Sequence, residues 1–390
     1  MILTVSSFEI GTEKNLVFDG SSWSWSKSIP KNSLLWGFDH PNDIRDAAAS
    51  LRLDLPDFWK TPWGIAQSYI QGKDSKVLWQ YVMPFQRWRD HVENLASQLW
   101  INFTNKDNSY YVDTHLRNRR VIWQLSRPIL SRDYYFKVAK KENGNLERFK
   151  PGRDDRPERS KYSFSKTVTG RMTIPVGPNI LTLKKENRKI FKSRFKDGRI
   201  VEVDLQSAEP RVALALFGKS ISGDIYENVS KSLGLKIDRK IAKIATLSAL
   251  YGASQHSLRS QLNSNTMAIK VLESVKEYFS VQHLEKMISL QHKDFGYVSN
   301  THGRKIFSEI PSVNHFIQSS TVDVAFDIFE ALLEKIKEMK IEALPLYIIH
   351  DAIILDVNSS SYTDLVKICS EGFESKTTRV NFPVKIKEIK

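Results

Sequence analysis

The sequence is poor in cysteine and has no long apolar run. Cys369 is the single cysteine among 390 residues, which excludes an internal disulfide framework and a thiolate metal cluster and fits a reducing compartment. No segment approaches the roughly 18 consecutive apolar residues of a membrane-spanning helix. The start, MILTVSSFEIG, has no basic n-region and contains Glu9, which argues against a secretory signal. These features predict a cytoplasmic protein.

Acidic residues are fewer than basic ones. The chain has 58 Lys and Arg against 44 Asp and Glu, which gives a formal net charge of +14. A charge of this sign and size favours a polyanionic partner, and nucleic acid is the first candidate. A soluble protein that is merely basic is the alternative. The length predicts two or three subdomains.

Tryptophan is absent from the C-terminal two-thirds of the chain. All nine tryptophans lie between Trp23 and Trp123, which indicates a distinct N-terminal region, and we expect their rings to be core residues. Residues 77–100 show the apolar spacing of one amphipathic helix. Residues 137–166 are rich in charge, Gly and Pro and predict an exposed connector. The basic stretch 184–199 predicts a structured element with one cationic face.

Strands and helices alternate from residue 200 onward. The segment VEVDLQSAEPR predicts a strand that ends at Asp204 and a helix with Glu209 in its first turn. The segment LYIIHDAIILDV predicts a hairpin with His350 and Asp351 at its tip, where Gly or Asn is more usual. If the fold brings the two aspartates together, their repulsion favours a divalent cation such as Mg²⁺. That pairing suits two-metal nucleotidyl transfer, and two unrelated turn residues are the alternative.

The helix predicted over RKIAKIATLSALYG has four distinctive residues at steps of four. Arg239 and Lys243 lie toward its start, and Leu247 and Tyr251 follow along the same flank. Two cations one turn apart are suited to a triphosphate, and the aromatic ring to a base. An ordinary surface helix produces the same spacing.

Polar residues that can reach DNA flank these segments. Gly170 and Arg171 follow a polar strand, and Asn314 and Gln318 lie one turn apart at the start of a long predicted helix. Arg, Asn and Gln reach minor-groove acceptors, which every base pair offers. Polar helix starts are also common caps, so the pattern is only suggestive.

In this order the segments resemble the polymerase domain of family A DNA polymerases, the group of bacterial DNA polymerase I and its phage relatives. TVTGRM…PNI is similar to the family's T-x-TGR…PNLQ, and VEVDLQSAEPR resembles motif A, D-Y-S-Q-I-E-L-R. RKIAKIATLSALYG resembles motif B, R-x-x-x-K-x-x-x-[FY]-x-x-x-Y-G, and LYIIHDAIILDV resembles motif C, V-H-D-E. GYVSNTHGRKI and NHFIQSSTVD resemble the segments between motifs B and C. The likeness covers roughly 160–360.

The resemblance implies an α+β right-hand polymerase fold with an antiparallel palm sheet, helical fingers and thumb, and a small N-terminal region. The domains that we expect are a Trp-rich region of unknown role at 1–75, thumb and connector at 76–165, the first part of the palm at 166–215, fingers at 216–290, and the second part of the palm at 291–390.

The resemblance also implies residue roles. The metal ligands are the Asp204 and Asp351 carboxylates and the Leu205 carbonyl, for two Mg²⁺ ions with Mn²⁺ as a substitute, and Lys243 joins the aspartates as a catalytic residue. The nucleotide-binding set is Arg239, Lys243, Leu247, Tyr251, Glu209 and Tyr226, in which Glu209 excludes a ribose 2′-hydroxyl. The set for primer and template is Arg171, Arg211, Asn314, Gln318 and His350.

Several positions depart from the family pattern. Ala352 replaces the motif C glutamate, Leu247 replaces an aromatic near the sugar, and Ser248 replaces a frequent glycine. Tyr226 stands where a phosphate-contacting histidine is common, and Gln206-Ser207 replaces Ser-Gln. We expect altered sugar selectivity at Leu247.

The function implied is template-directed addition of dNTPs to a primer 3′ end. The N-terminal 130 residues are too short for both a standard 3′–5′ exonuclease and a thumb, so we expect no proofreading. The expected partners are primer–template DNA, dNTPs and a replication helicase, primase or processivity factor, with no membrane, in bacterial cytoplasm for a phage or plasmid gene. One alternative is a single-subunit RNA polymerase, against which Glu209 argues. The other is a non-catalytic primer–template binding protein, against which the retained site residues argue.

Overall fold

The computed structural model describes residues 1–37, 40–72, 77–140, 146–220, 222–234, 237–252, 256–262 and 264–389. Contacts divide the chain into two compact units, Met1–Trp123 (unit 1) and Gln124–Lys390 (unit 2). In the described ranges, no helix is both long and apolar enough to cross a membrane. The domain boundaries expected from the sequence stay predictions.

Unit 1 combines a small sheet with helices. Its strands are β1 (Ile2–Val5), β2 (Asn15–Phe18), β3 (Trp23–Ser26) and β4 (Ser33–Trp36), in the spatial order β3-β2-β1-β4, with β1 and β4 parallel. Its helices are α1 (Ser7–Ile10), α2 (Arg45–Ser50), α3 (Pro62–Gln71), α4 (Trp79–Val82), α5 (Phe85–Thr104) and α6 (Lys106–Trp123), with a 3₁₀ turn at Phe58–Lys60.

The long helix expected over 77–100 was wrong in one respect. It is two helices, α4 and α5, because Pro84 interrupts the pattern and becomes the N-cap of α5. Proline has no N–H for the helical hydrogen bond and disfavours a helical conformation in the residue before it. The apolar face of α5 packs into the core of unit 1 through residues such as Leu99 and Phe103.

The tryptophans divide into two groups. Trp79 and Trp88 are core residues with 1% and 6% exposure, as expected. The expectation was wrong for Trp23 and Trp25, which are 41% and 49% exposed on β3. Strand β3 is the edge of the sheet as described, so its rings lack the second strand neighbour that an inner strand provides. Trp123 is also exposed, at 39%.

Unit 2 contains the remaining elements. Its strands are β5 (Ile129–Leu130), β6 (Lys161–Ser163), β7 (Thr173–Val176), β8 (Phe191–Lys192), β9 (Arg199–Leu205), β10 (Val298–Ser299), β11 (Lys305–Ile306), β12 (Ala343–Ile349), β13 (Ala352–Val357), β14 (Phe373–Glu374), β15 (Asn381–Phe382) and β16 (Val384–Glu388). Its α-helices are α7 (Arg132–Ala139), α8 (Ala208–Ala215), α9 (Ile225–Ser232), α10 (Arg239–Tyr251), α11 (His256–Leu262), α12 (Asn265–Tyr278), α13 (Val281–Phe295), α14 (Val313–Glu338) and α15 (Tyr362–Ser370). Its 3₁₀ turns are Glu147–Phe149, Lys185–Ile190 and Ser359–Ser361.

A four-stranded sheet forms the centre of unit 2. The strand order is β12-β13-β9-β16, and every pairing is antiparallel, which confirms the antiparallel palm sheet. The hairpin predicted around His350 and Asp351 is β12–β13. Strand β16 was not predicted from the sequence, and it gives β9 a second neighbour. Strand β9 is therefore an inner strand, which fits the continuous burial of Ile200 to Val203.

The helix predicted over RKIAKIATLSALYG is α10. Helices α9, α10, α12 and α13 share an apolar core that continues into the first turns of α14. The exposed connector expected over 137–166 was wrong in part: residues such as 152–154 are exposed, but Phe149, Tyr162 and Phe164 are buried. Phe149 packs against Phe191 and Tyr347, and Phe164 packs against Phe326, so distant segments bury these rings. Residues 141–145 of that segment lie outside the described residues.

Candidate active site

The two aspartates singled out in the sequence lie on neighbouring strands. In the β9–β13 pairing Asp204 is opposite Ala352, and the backbone N–H of Leu205 donates to the Asp351 carbonyl at 3.1 Å. Burial and then the charge of Asp351 raise the pKa of Asp204 to about 6, and burial raises the pKa of Asp351. The fold therefore brings together two carboxylates that were 147 residues apart in the chain.

Left-handed backbone conformations occur next to both aspartates. Ser207, just after β9, and His350, at the tip of the β12–β13 hairpin, each have φ of +52°. This region is unfavourable for residues other than glycine, so the surrounding structure holds both turns in place. The sequence signal for the turn at His350 was a hairpin tip that contains His350 and Asp351 where Gly or Asn is more usual.

A third carboxylate, Glu202, lies two residues before Asp204 on β9. It is 8% exposed and pairs with Arg188 and with Lys185, the latter at 3.4 Å. Its charge contributes to raising the pKa of both Asp204 and Asp351. Sequence reasoning missed this pairing, although the basic stretch 184–199 that supplies both cations had been noted. In the described part of the chain no three His, Cys, Asp or Glu side chains form a metal cluster.

Five of the predicted site residues line one cleft of about 60 Å³, and they come from separate segments of unit 2. The lining residues are Arg171, Met172, Glu209, Gln318, Thr321, Val322, His350 and Asp351. Long-range packing of α8 against α14 brings these segments together. The cleft is therefore walled by carboxylates, amides and cations rather than by apolar groups alone.

Glu209 is held by two partners. Its Oε1 accepts a hydrogen bond from Arg171 Nη2 at 2.8 Å, and its Oε2 accepts one from the Tyr251 hydroxyl. Burial raises the pKa of Glu209, and the Arg171 guanidinium opposes that rise. Glu209 lies in the first turn of α8, Tyr251 lies at the end of α10, and Arg171 lies in the loop after residue 167. The Glu209 carboxylate therefore connects these three segments, and both of its oxygens are held in the cleft.

The cations of α10 lie above a buried aromatic ring. The Arg239 guanidinium carbon and Lys243 Nζ are 5.4 and 5.9 Å from the centroid of Tyr226, which is only 6% exposed. The Tyr226 side chain is hydrogen-bonded to Ser207, which connects this ring to the turn after β9. Tyr226 thus supports the two exposed cations. Leu247 and Tyr251 continue along α10 as half-buried residues.

The amides of α14 face each other. Gln318 Nε2 donates to Asn314 Oδ1 one turn earlier, and Ser312 caps the helix through the His315 N–H at 3.3 Å. Gln318 reaches the cleft described above, whereas Asn314 is outside its lining.

Arg211 differs from the other residues in the predicted set. It is 5% exposed, and it donates from Nε to the Gln206 carbonyl at 2.8 Å and from Nη2 to the Gly223 carbonyl. These bonds connect the turn after β9 to the segment before α9. The structure therefore places Arg211 beneath the site rather than on the cleft wall.

A buried ion pair that sequence reasoning missed supports the loop with Arg171. Arg304 is 1% exposed, and its Nη2 donates to Asp323 Oδ1 at 2.7 Å. A Cβ on Gly170 would lie 2.6 Å from the Arg304 guanidinium carbon, so only glycine fits here. The sequence signal for this ion pair was Gly303-Arg304 in GYVSNTHGRKI.

Comparison with known proteins agrees with this geometry. A sequence model of the DNA polymerase family A matches residues 133–388, whereas no curated protein matches the sequence. Among solved structures, the polymerase domain of Pol1 from M. smegmatis, in complex with DNA primer-template and dNTP, has a similar fold. The TM-score is 0.59 and the identity 14%, over 87% of this chain and 80% of that one. The family match spans most of the chain and the fold agrees with it; the chain belongs to DNA polymerase family A and is a DNA-directed DNA polymerase.

Proposed function

We propose that the protein adds dNTPs to a primer 3′ end under the direction of a DNA template, with Asp204 and Asp351 as the ligands of two Mg²⁺ ions. The observation that carries this proposal is the pair of semi-buried, mutually repelling aspartates on β9 and at the β12–β13 tip, beside a polar cleft. Nucleotidyl transfer needs such a pair to bind divalent cations, because the reacting phosphates are anionic and require positive charge beside them.

The donor set fits magnesium. Two carboxylates and the Leu205 carbonyl are hard oxygen ligands, which Mg²⁺ uses together with substrate phosphates and water; Mn²⁺ accepts the same ligands. The raised pKa values of Asp204 and Asp351 reflect the cost of two uncompensated negative charges, which a bound cation removes. The chemistry expected of bound Mg²⁺ is to lower the pKa of the 3′-hydroxyl and to neutralise phosphate charge.

The start of α10 is suited to the triphosphate of the incoming nucleotide. Arg239 and Lys243 are exposed and lie over Tyr226, so their charges face solvent while the ring supports them. Lys243 is also expected to act on the leaving phosphates as a catalytic residue, because an ammonium near them stabilises developing charge. Movement of the finger helices would bring both cations onto the phosphates.

The C-terminal end of the α10 flank that carries Arg239 and Lys243 is proposed to contact the base and sugar of the nucleotide. Tyr251 is the ring expected to close against them, and Leu247 stands one turn earlier, half-buried. Because Leu247 lacks an aromatic ring near the sugar, we propose altered sugar selectivity. The measurement is the ratio of dideoxy to normal nucleotide incorporation, and little change in Leu247→Tyr would remove this idea.

Glu209 is proposed to exclude ribonucleotides. Its two hydrogen bonds, from Arg171 and Tyr251, fix the carboxylate, so it cannot swing away to admit a 2′-hydroxyl. This fixed position also weighs against RNA synthesis, which needs room for that hydroxyl.

The residues proposed to contact primer and template are those of the cleft and of α14: Arg171, Asn314, Gln318 and His350. Their donors suit the minor-groove acceptors that all base pairs present, so they would test pairing geometry rather than sequence. For Arg211 the burial and backbone bonds favour an indirect role, in which it positions the turn after β9.

Primer extension tests the proposed function. Purified protein with primer–template, Mg²⁺ and dNTPs should extend the primer, and Asp351→Asn should lower the rate by at least about a thousandfold while the thermal unfolding curve stays cooperative. Equal rates with rNTPs would favour RNA synthesis. Primer–template binding without extension, unchanged in Asp351→Asn, would favour a non-catalytic binding protein.

Absence of proofreading stays a prediction. A primer with a mismatched 3′ end tests it, because a 3′–5′ exonuclease would shorten that primer without dNTPs. A role in replication with a helicase, primase or processivity factor, in bacterial cytoplasm, is proposed on the family resemblance alone, and co-purification from the host is the measurement.

A further inference from the structure

Asp224 connects the starts of two finger helices through its two oxygens. Its Oδ1 accepts hydrogen bonds from the backbone N–H groups of Tyr226 and Glu227, at 2.9 and 3.0 Å, and so caps α9. Its Oδ2 accepts from Arg239 Nη2 at 2.6 Å and Nε at 3.0 Å. Oδ1 therefore caps α9, and Oδ2 binds Arg239, the first cation of α10.

The Asp224 carboxylate binds Arg239 but not Lys243, the other cation near the Tyr226 ring. Lys243 lies over the same Tyr226 ring as Arg239, but its ammonium forms no ion pair with the residues that the structure describes. The Arg239–Asp224 pair is partly exposed, with 52% and 30% of the two side chains accessible. An anionic ligand can therefore reach the guanidinium from solvent, where it has to compete with Asp224.

We propose that Asp224 is a positioning residue that holds Arg239 before nucleotide binds and competes with the triphosphate for its guanidinium. The proposal rests on the proposed function, in which Arg239 contacts the triphosphate. The pair keeps Arg239 folded against the Tyr226 ring at the start of α10. A ligand that takes the guanidinium has to break the two bonds to Oδ2, so Asp224 weakens the binding of every phosphate group that uses Arg239.

The decisive variant is Asp224→Asn. Asparagine caps a helix about as well as aspartate, so the Oδ1 bonds to α9 are retained while the charge on the Arg239 side is lost. Exposed ion pairs contribute little, and losing this competition should lower the KM for dNTP by about two- to fivefold, with kcat within about twofold. The thermal unfolding midpoint should stay within about 2 °C.

Two controls separate this contact from a general effect of charge. Glu227→Gln removes a charge from the same helical turn that raises the pKa of Arg239 less than Asp224 does, and should change KM by less than about 1.5-fold. In an Arg239→Ala background, Asp224→Asn should have no further effect on KM, because the two side chains act as one pair. An unchanged or higher KM in Asp224→Asn, or an equal fall in Glu227→Gln, would overturn the proposal.

Calorimetric titration of the DNA-free protein with inorganic triphosphate separates this proposal from the proposed function. Asp224→Asn should bind triphosphate about two- to fivefold more tightly than the wild type. Failure of primer extension alone counts against the polymerase assignment, whereas an unchanged triphosphate affinity in Asp224→Asn counts against the role of Asp224.

Discussion

Single residues at and near the two central aspartates are held in unfavourable states by their surroundings. Ser207 and His350 take left-handed backbone conformations, and Asp204 is placed where its charge is costly. Such states persist only when the surrounding packing compensates for them. Each therefore gives a measurable consequence for one side chain.

The first residue-scale prediction concerns Asp204 in metal-free protein. Its pKa is about 6 in the folded state against an ordinary 3.8, so between these values the folded state binds more protons than the unfolded one. Stability should therefore fall as pH rises from about 4 to 6 and stay lower above, by about 1–2 kcal/mol because solvent screens part of the charge. In chelator, Asp204→Asn should raise Tm at pH 7.5 but not near pH 4.

The matched measurement for Asp204 is the Tm of wild type and variant across pH, with and without Mg²⁺. Added Mg²⁺ should raise the Tm of the wild type and have a smaller effect on Asp204→Asn, because the variant has lost one ligand. A difference in Tm that is the same at all pH values would contradict the raised pKa.

A second residue-scale prediction concerns sugar selectivity. Glu209→Ala should raise rNTP incorporation relative to dNTP by at least about tenfold, because the side chain that would meet a 2′-hydroxyl is gone. Tyr251→Phe is the matched control: it removes the hydroxyl bonded to Glu209 Oε2 but retains the ring, and should give a smaller increase. Single-nucleotide incorporation kinetics measure both, and an unchanged ratio in Glu209→Ala would contradict the role.

At the scale of elements, a loop and a helix are joined through one buried cation. Arg304 lies against Gly170 and is paired with Asp323 of α14. The loop that carries Arg171 therefore depends on a helix more than a hundred residues later, which also carries Gln318. We therefore expect the placement of the Arg171 and Gln318 side chains to depend on the contacts of Arg304 with Gly170 and Asp323.

Gly170→Ala tests the contact. The new Cβ would lie 2.6 Å from the guanidinium at a φ of +71°, so we expect a loss of about 2–4 kcal/mol in the free energy of unfolding and a lower kcat/KM. Gly218→Ala is the control, since its φ is +65° with no atom within 4 Å, and should cost about 1 kcal/mol. Denaturant unfolding measures both, and equal losses would exclude the Arg304 contact as the cause.

At the scale of the whole molecule, the positive charge is uneven. Of the 58 basic residues 14 lie in 1–123, and of the 44 acidic residues 13 lie there, so unit 1 has a net charge of +1 and unit 2 has +13. Unit 2 contains all of the predicted site residues. This distribution predicts that a polyanionic partner binds unit 2.

Binding of primer–template DNA should depend steeply on salt. Contacts between Lys or Arg and phosphate release counterions, so the affinity should fall by at least about a hundredfold between about 50 and 200 mM salt. Fluorescence anisotropy with labelled duplex measures this dependence. An affinity that changes less than about threefold would show that the charge of unit 2 is not used for DNA.

The sequence by itself indicated the family, the strands and helices that carry the motifs, and the two central aspartates, because strand and helix periodicity and motif spacing are local properties. Only the tertiary structure decided which side chains and strands contact each other. Arg171 and Tyr251 reach Glu209 from 38 and 42 residues away, β16 joins the sheet beside β9, and Arg211 is buried. These contacts depend on how elements pack, and no spacing along the chain encodes that.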